Sequence, residues 1–310
     1  MPKKIIFMGT PLFAVPILKS LHQNGYQISI VYTQPPQKSN RGQKLNKSPI
    51  HVVSETLNID CRFPKYLKKN NDEYEFIKNL NADLAVVVAY GQIIPKEYLK
   101  LTKKGFINIH GSILPKWRGA APIQRSIMNL DNETGISIMK LSDKLDSGPV
   151  CNIYRIRLNH NINTQEISKK LSLLAADKIL NNVNDIIENR AKFVDQEHSK
   201  SSYASKINKA EGKINWSNEA PRIIGKVNGL FPSPGAFFIF KGKRYKILKA
   251  RIGDLSGKIG EVLTDKLEIA CAKNQSIKIL EIQKEGKKPQ KIEDFMLGSN
   301  IKKGSFISNA

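Results

Sequence analysis

Six consecutive apolar residues, Leu84–Ala89 (LAVVVA), constrain this chain more than any other stretch. A strand with one wet face alternates polar and apolar side chains, so a short unbroken run reads as a strand buried on both faces. Such strands belong to parallel sheets with helices packed on either side, and the flanking pattern agrees. Lys4–Met8 is an apolar run stopped by Gly9, Val15–Leu21 begins a helix, and Ile28–Thr33 is another strand. Phe106–His110 and Gly135–Leu141 follow as strands, with helical spacing at Pro49–Leu57, Glu73–Leu80 and Pro122–Leu130. Thr164–Ile187 places Ile167, Leu171, Leu174, Ile179, Val183 and Ile187 on one helical stripe. The expectation is an α/β domain over residues 1–188, with a doubly wound, parallel-type, Rossmann-like sheet. Ligands in such sheets sit beyond the carboxyl ends of the strands.

Residues 189–207 are polar and aperiodic, the texture of a linker. Beyond them the pattern changes. Ala236–Phe240, Tyr245–Arg251, Ile259–Leu263, Leu267–Ala270 and Ile277–Ile282 are short strands parted by Gly, Lys and Asp turns. Residues 208–310 are therefore expected to form a small antiparallel β-barrel of OB-like type. Charge also divides unevenly. The whole chain has 50 Lys and Arg against 27 Asp and Glu, a formal charge of +23. Residues 205–310 hold 21 of the basic and 10 of the acidic residues, nearly twice the surplus per residue of the rest. A polyanionic partner is the natural reason for such a surplus.

Several classes fall away. Cys61, Cys151 and Cys271 lie far apart and the five histidines are scattered, so neither a disulfide framework nor a metal site is expected. The opening MPKKIIFMGT enters a strand without a secretory h-region, and no 18-residue apolar span occurs. A cytoplasmic protein of a reducing compartment, working as a monomer, is the expectation, with no membrane partner. Phe7-Met8-Gly9-Thr10-Pro11 runs from strand to helix through one glycine, without the further glycines of a dinucleotide fingerprint. No GxxxxGK[ST] is present, which excludes a P-loop.

Two stretches carry chemistry. In Phe106–His110 side chains alternate, so Ile107 and Ile109 point one way while Asn108 and His110 point the other. A polar pair on a buried strand is costly unless it has work to do, although a satisfied core histidine fits the same pattern. Gly111 then permits a sharp turn. The second stretch is Ser142–Pro149, where Asp146 lies in a turn closed by Gly148, at the end of another strand of the same sheet. Taken alone, an Asp in a turn is usually only a turn residue.

The strings Asn108-Ile109-His110-Gly111-Ser112-Ile113-Leu114-Pro115, Trp117–Gln124 and Asp146-Ser147-Gly148 closely resemble the folate-dependent formyltransferases. Phe7–Phe13, Ala89–Pro95 and Trp216–Ala236 with its Phe231-Pro232-Ser233-Pro234-Gly235-Ala236 stretch fit the same family, in order, over nearly the whole chain. The resemblance implies transfer of a formyl group from 10-formyltetrahydrofolate to the α-amino group of methionyl-initiator tRNA, without a metal. It implies a catalytic trio of Asn108, His110 and Asp146. Asn108 would donate to the oxyanion, His110 would stabilise that charge or relay the amine's proton, and Asp146 would orient His110. Ser112, Ile113, Leu114 and Pro115 match the loop that contacts the folate. Thr33–Ile50 matches an insertion that wedges against the tRNA acceptor stem, with Arg41 where the family's key arginine belongs and Lys38, Lys44 and Lys47 around it. By itself that loop reads as solvated surface, and Trp117 and Arg118 read as a packing and a phosphate contact. Relatives that act on a purine-ribotide or sugar-nucleotide amine would not be expected to carry both the basic loop and a basic β domain.

Overall fold

The computed structural model describes residues 2–39, 44–159 and 161–309. In chain order the elements are β1 (Lys4–Gly9), α1 (Val15–Gln23), β2 (Gln27–Tyr32), β3 (Gln37–Ser39), β4 (Lys44–Asn46), α2 (Pro49–Thr56), β5 (Cys61–Arg62) and α3 (Asn71–Asn79). Next come β6 (Leu84–Val88), β7 (Phe106–His110), β8 (Arg118–Gly119), α4 (Pro122–Met128), β9 (Glu133–Lys140), β10 (Val150–Arg157), α5 (Thr164–Ile187) and β11 (Tyr203–Ala204). The last group is α6 (Ala220–Gly229), β12 (Ala236–Phe240), β13 (Lys243–Ile252), β14 (Glu268–Cys271), β15 (Gln275–Lys284), β16 (Gln290–Lys291) and α7 (Ile292–Leu297). Among the described residues, no helix is long and apolar enough to cross a membrane.

Two compact units emerge. The first comprises Met1–Gly119, Gly135–Arg155 and Ser168–Tyr203; the second comprises Ala120–Thr134, Ile156–Ile167 and Ala204–Ala310. The division is thus by space and not at a single linker, since α4 belongs with the C-terminal residues. Nor is 189–203 an idle tether. Val194 exchanges two backbone hydrogen bonds with Val150, at 2.8 and 2.9 Å, and Arg118 N donates to Ser202 O at 2.8 Å. A polar composition satisfies the water-facing side of such a strap, while backbone pairing holds the other side.

The first unit is built on a seven-stranded sheet in the order β10-β9-β7-β6-β1-β2-β5. β6 is buried along its whole length, as its unbroken apolar run requires. It pairs in parallel with β1 on one side and β7 on the other. The chain leaves β1 towards β2 and later returns to β6 on the other side, so the order reverses between β1 and β6. Ligands collect at such a reversal. Helix starts follow from local chemistry: Ser48 caps α2 by accepting from His51 N at 3.0 Å, and Pro49 needs no N–H partner there.

One strand departs from the simple parallel plan. β9 runs antiparallel to β7, with Ile107 opposite Lys140 and His110 opposite Ser137. The carboxyl end of β9 therefore lies at the amino end of β7, and Asp146 does not sit on a neighbouring strand end. The return loop 141–149 has to carry it back. Gly148 makes that return possible, because a Cβ there would lie 2.0 Å from Lys140 O.

The second unit has an antiparallel sheet in the order β12-β13-β15-β14, with β16 paired to β15. Ile259–Leu263, expected as a strand, forms only isolated bridges, Glu261 with Phe306 and Val262 with Ile269. Its backbone groups are nonetheless used on both sides: Gly260 N donates to Ala270 O and Val262 N to Ser305 O. The core centres on fully buried Trp216, edge-on to Phe238, which stacks on Tyr245 at 5.4 Å. Within this unit α4 approaches α6 closely, since a Cβ on Gly229 would lie 2.4 Å from Met128 Cγ. Trp216→Ala should cost about 3–5 kcal/mol, the usual loss for deleting a buried indole. Urea unfolding followed by circular dichroism checks this; a loss below about 1 kcal/mol would mean that the core does not depend on the ring.

Candidate active site

β7 presents Asn108 and His110 on the same face because they are two residues apart on one strand. His110 is 5% exposed and Asp146 8% exposed. The loop 141–149 brings the Asp146 carboxylate to both. Asn108 Nδ2 donates to Asp146 Oδ1 at 3.3 Å, and His110 Nδ1 lies 3.6 Å from Asp146 Oδ2. His110 Nε2 is 2.8 Å from the carbonyl of Trp117. A carbonyl only accepts, so Nε2 carries a proton and donates it there. The ring is held at one nitrogen by backbone and faces a carboxylate with the other.

Asp146 is held from several directions. Gly119 N on β8 donates to Oδ2 at 2.9 Å. Its φ is +46°, in the left-handed region that Asp tolerates better than most residues. From behind, Gln196 Nε2 donates to Asp146 O at 3.0 Å and to Gly148 O at 2.7 Å. Gln196 was not among the residues singled out in the sequence. It lies in the aperiodic stretch after α5, and its neighbours Asp195 and Glu197 are exposed, so no pattern marks it. Arg118, read as a phosphate contact, is 3% exposed and donates instead to Gln196 Oε1. Its burial removes it from any surface role.

The loop after His110 is bound tightly into the sheet. Ser112 is fully buried, and its hydroxyl donates to Lys116 O at 2.6 Å. Ser137 Oγ donates to Ser112 O and accepts from Leu114 N. Leu114 is buried, whereas Ile113 and Pro115 are half-buried. A pocket of about 300 Å³ opens beside Leu114 and Pro115, with Val150, Cys151 and Gln196 in its other walls. None of Asn108, His110 and Asp146 lines it. Burial pushes the Cys151 thiol up to about 11, so this sulfur is a packing group and not a nucleophile.

The base of the Thr33–Ile50 loop is tied down. Thr33 Oγ1 and Ser48 Oγ are 2.7 Å apart, joining its two ends. Thr10 Oγ1 donates to Tyr90 O at 2.7 Å, and Gln34 Nε2 donates to the same carbonyl at 3.2 Å. Lys38 and Lys44 lie on the paired strands β3 and β4. Arg41 lies outside the described residues. Lys47 forms an exposed ion pair with Glu55 at 2.5 Å, and this contact holds the Glu55 carboxyl below its ordinary range.

Comparison with known proteins bears on this arrangement directly. Residues 3–183 match the family model described as "Formyl transferase" and residues 206–300 match "Formyl transferase, C-terminal domain". The chain belongs to the formyl transferase family. A methionyl-tRNA formyltransferase of Pelagibacter ubique is 64% identical over all of both chains. One from Chelativorans sp. strain BNC1 is 37% identical over 99% of this chain and all of that protein. The fold of this formyl transferase also matches a solved N-formyltransferase from Helicobacter canadensis in complex with folinic acid and dTDP-3-aminofucose. That match has a TM-score of 0.70 and 21% identity, covering 92% of this chain and 100% of the other. The enzyme is thus a formyl transferase with a Rossmann-like first domain and a C-terminal domain of antiparallel strands.

Gly148 supplies a test of the return loop. Gly148→Ala should displace the 146–148 turn, because the new methyl meets backbone and not a flexible side chain. Formyl transfer is expected to fall about a hundredfold, the scale of an Ångström-sized misplacement at a reacting site. Steady-state kinetics of the folded variant decides; activity within twofold of wild type would detach the loop geometry from the chemistry.

Proposed function

We propose that the chain transfers the formyl group of 10-formyltetrahydrofolate to the α-amino group of methionyl-initiator tRNA. The observation that carries this reading is the convergence of Asn108, His110 and Asp146, with Asn108 Nδ2 at 3.3 Å and His110 Nδ1 at 3.6 Å from the same carboxylate. The high identity to full-length methionyl-tRNA formyltransferases supports the choice of acceptor.

Attack of an amine on the formamide carbon forms a C–N bond and a tetrahedral intermediate bearing an oxyanion. Asn108 Nδ2 has two hydrogens, and its contact with Asp146 uses one. The second is suited to the oxyanion, where a preorganised donor contributes a few kcal/mol. Collapse of the intermediate breaks the formyl C–N bond to the folate, whose nitrogen takes the proton that the attacking amine loses, and His110 assists this transfer. Asp146 keeps the ring turned and offsets positive charge that develops on it. All three residues come from one chain, so a monomer suffices. The folate side of the site is assigned to Ser112–Pro115. Within that loop the buried Ser112 hydroxyl shapes the turn, and Ile113 and Pro115 have the exposure needed to meet a ligand. Replacing Asn108, His110 or Asp146 singly should lower kcat about a hundredfold or more. Quench-flow formylation measures it, and a His110→Ala enzyme with near-normal turnover would remove the trio.

The acceptor reading makes its own demands. Initiator tRNA is a polyanion, and the surplus of basic residues in 205–310 suits contacts with its phosphates. Arg41 is proposed to present its planar fork to the acceptor end, with Lys38, Lys44 and Lys47 in support. An exposed pair such as Lys47–Glu55 adds little, because water screens it, and it yields readily to a phosphate. Arg41→Leu should slow formylation of initiator tRNA severely while leaving folate binding intact. Replacing exposed lysines of 208–310, such as Lys241, Lys243 and Lys249, with Gln should flatten the salt dependence of tRNA binding, which otherwise falls with a slope of roughly −0.7 to −0.9 per phosphate contact. The decisive assay compares methionyl-initiator with methionyl-elongator tRNA; equal rates on both would overturn the proposed substrate.

A further inference from the structure

We infer that Gln196 is a positioning residue for formyl transfer: its buried amide bridges Arg118 to the Asp146–Gly148 turn and so keeps the Asp146 carboxylate in register with Asn108 and His110. The inference rests on the reading of Asp146 as part of the reacting site. Gln196 is 9% exposed and every hydrogen-bonding position of its amide is occupied. Nε2 donates to Asp146 O at 3.0 Å and to Gly148 O at 2.7 Å. Oε1 accepts from Arg118 Nε at 3.1 Å and from Arg118 Nη2 at 2.7 Å. Turning the amide over would set its NH₂ against a guanidinium and its oxygen against two carbonyls. One orientation alone is satisfied.

The bridge acts on both halves of the carboxylate's environment. One end grips the turn that carries Asp146, at the backbone carbonyls of Asp146 and Gly148. The other end grips Arg118, which directly precedes Gly119, the donor to Asp146 Oδ2. Gln196 therefore sets the distance between the carboxylate and its backbone donor. That distance matters because the contacts to Asn108 and His110 are already long, at 3.3 and 3.6 Å. A further shift of about 0.5 Å exceeds the tolerance of a reacting constellation. A residue that merely filled space would need neither two donors nor two acceptors in use at once.

The test compares Gln196→Glu, Gln196→Met and Asp146→Ala in the full-length enzyme. Thermal midpoint, kcat and the KM for 10-formyltetrahydrofolate are measured with methionyl-initiator tRNA. In Gln196→Glu a carboxylate still meets Arg118, so the fold is kept, but both donors to the turn are gone. The expected result is a kcat lowered about ten- to a hundredfold, a folate KM within about twofold, and a midpoint within a few degrees of wild type. Gln196→Met should lose kcat similarly. If both Gln196 variants keep kcat within about twofold while Asp146→Ala is crippled, the positioning role is wrong and the site reading stands. A kcat loss in both that only tracks a collapsed thermal midpoint also overturns it. An Asp146→Ala enzyme of near-normal activity would sink the site reading, and the positioning role with it.

Discussion

A buried carboxylate must be matched by donors, or folding leaves it costly and misplaced. Asp146 meets that condition with donors from two separate stretches of chain, while a third holds its backbone. Asn108 comes from β7, Gly119 N from β8, and Gln196 from the strap after α5, while the 141–149 loop supplies the residue itself. The contacts are unequal: Gly119 N donates at 2.9 Å, whereas the Asn108 bond is long and His110 stands beyond hydrogen-bond distance. Their joint effect is to leave the carboxylate a single place to be. Much of the first unit's irregular structure makes sense as the means of that placement. β8 and β11 are two residues each, too short to matter as a sheet, yet their pairing fixes Gly119 N.

The sheet was legible because its information is local. Phe106–His110 and Thr164–Ile187 run over the residues that periodicity assigns to them. β10 escaped the reading, since Asn152, Arg155 and Arg157 break the apolar run of a strand that is only partly buried. β9's direction escaped it too. Hydrophobic alternation is the same read either way along a strand, so parallel and antiparallel neighbours look alike in sequence. That ambiguity changed the meaning of Asp146: a strand-end residue in the sequence becomes a residue on a return loop in space. The pairing of Asn108 with His110 was visible from the period of two, whereas the arrival of Asp146 between them was known only through family resemblance. Gln196 had neither signal. Its partners are backbone carbonyls and a guanidinium 78 residues away, and backbone acceptors leave no trace in residue identity.

The insertion between β2 and α2 poses the opposite mechanical problem. A long insertion needs a fixed root if the sheet beneath it is to keep its shape. The root here is fixed by short hydroxyl contacts: Thr33 meets Ser48 across its base, and Thr10 and Gln34 converge on the Tyr90 carbonyl. These join the ends of β1 and β6, the two strands between which the sheet order reverses, to the start of the insertion. Below them, Glu73 accepts from Tyr32 at 2.5 Å and from Arg62 through two nitrogens, so β2 and β5 cannot splay at the point of departure. The crevice between β1 and β6 is thereby braced where the insertion departs.

Acceptor choice cannot come from the trio. Attack on a formamide would ask the same of the proposed trio of Asn108, His110 and Asp146 whether the amine belongs to an amino acid or to a sugar. What remains is whatever lies outside the shared chemistry: a long basic insertion and a C-terminal third with 21 Lys and Arg against 10 Asp and Glu. A nucleotide sugar has a compact charge that a few donors can hold in a closed pocket. A tRNA spreads its charge over tens of Ångströms, and each phosphate contact adds little, so recognition calls for many weakly held cations over a wide surface. Diffuse positive charge is expensive to keep together in a protein that gains nothing from it. Its presence on this formyl transferase, beyond what the reaction needs, is the physical argument for a polyanionic acceptor.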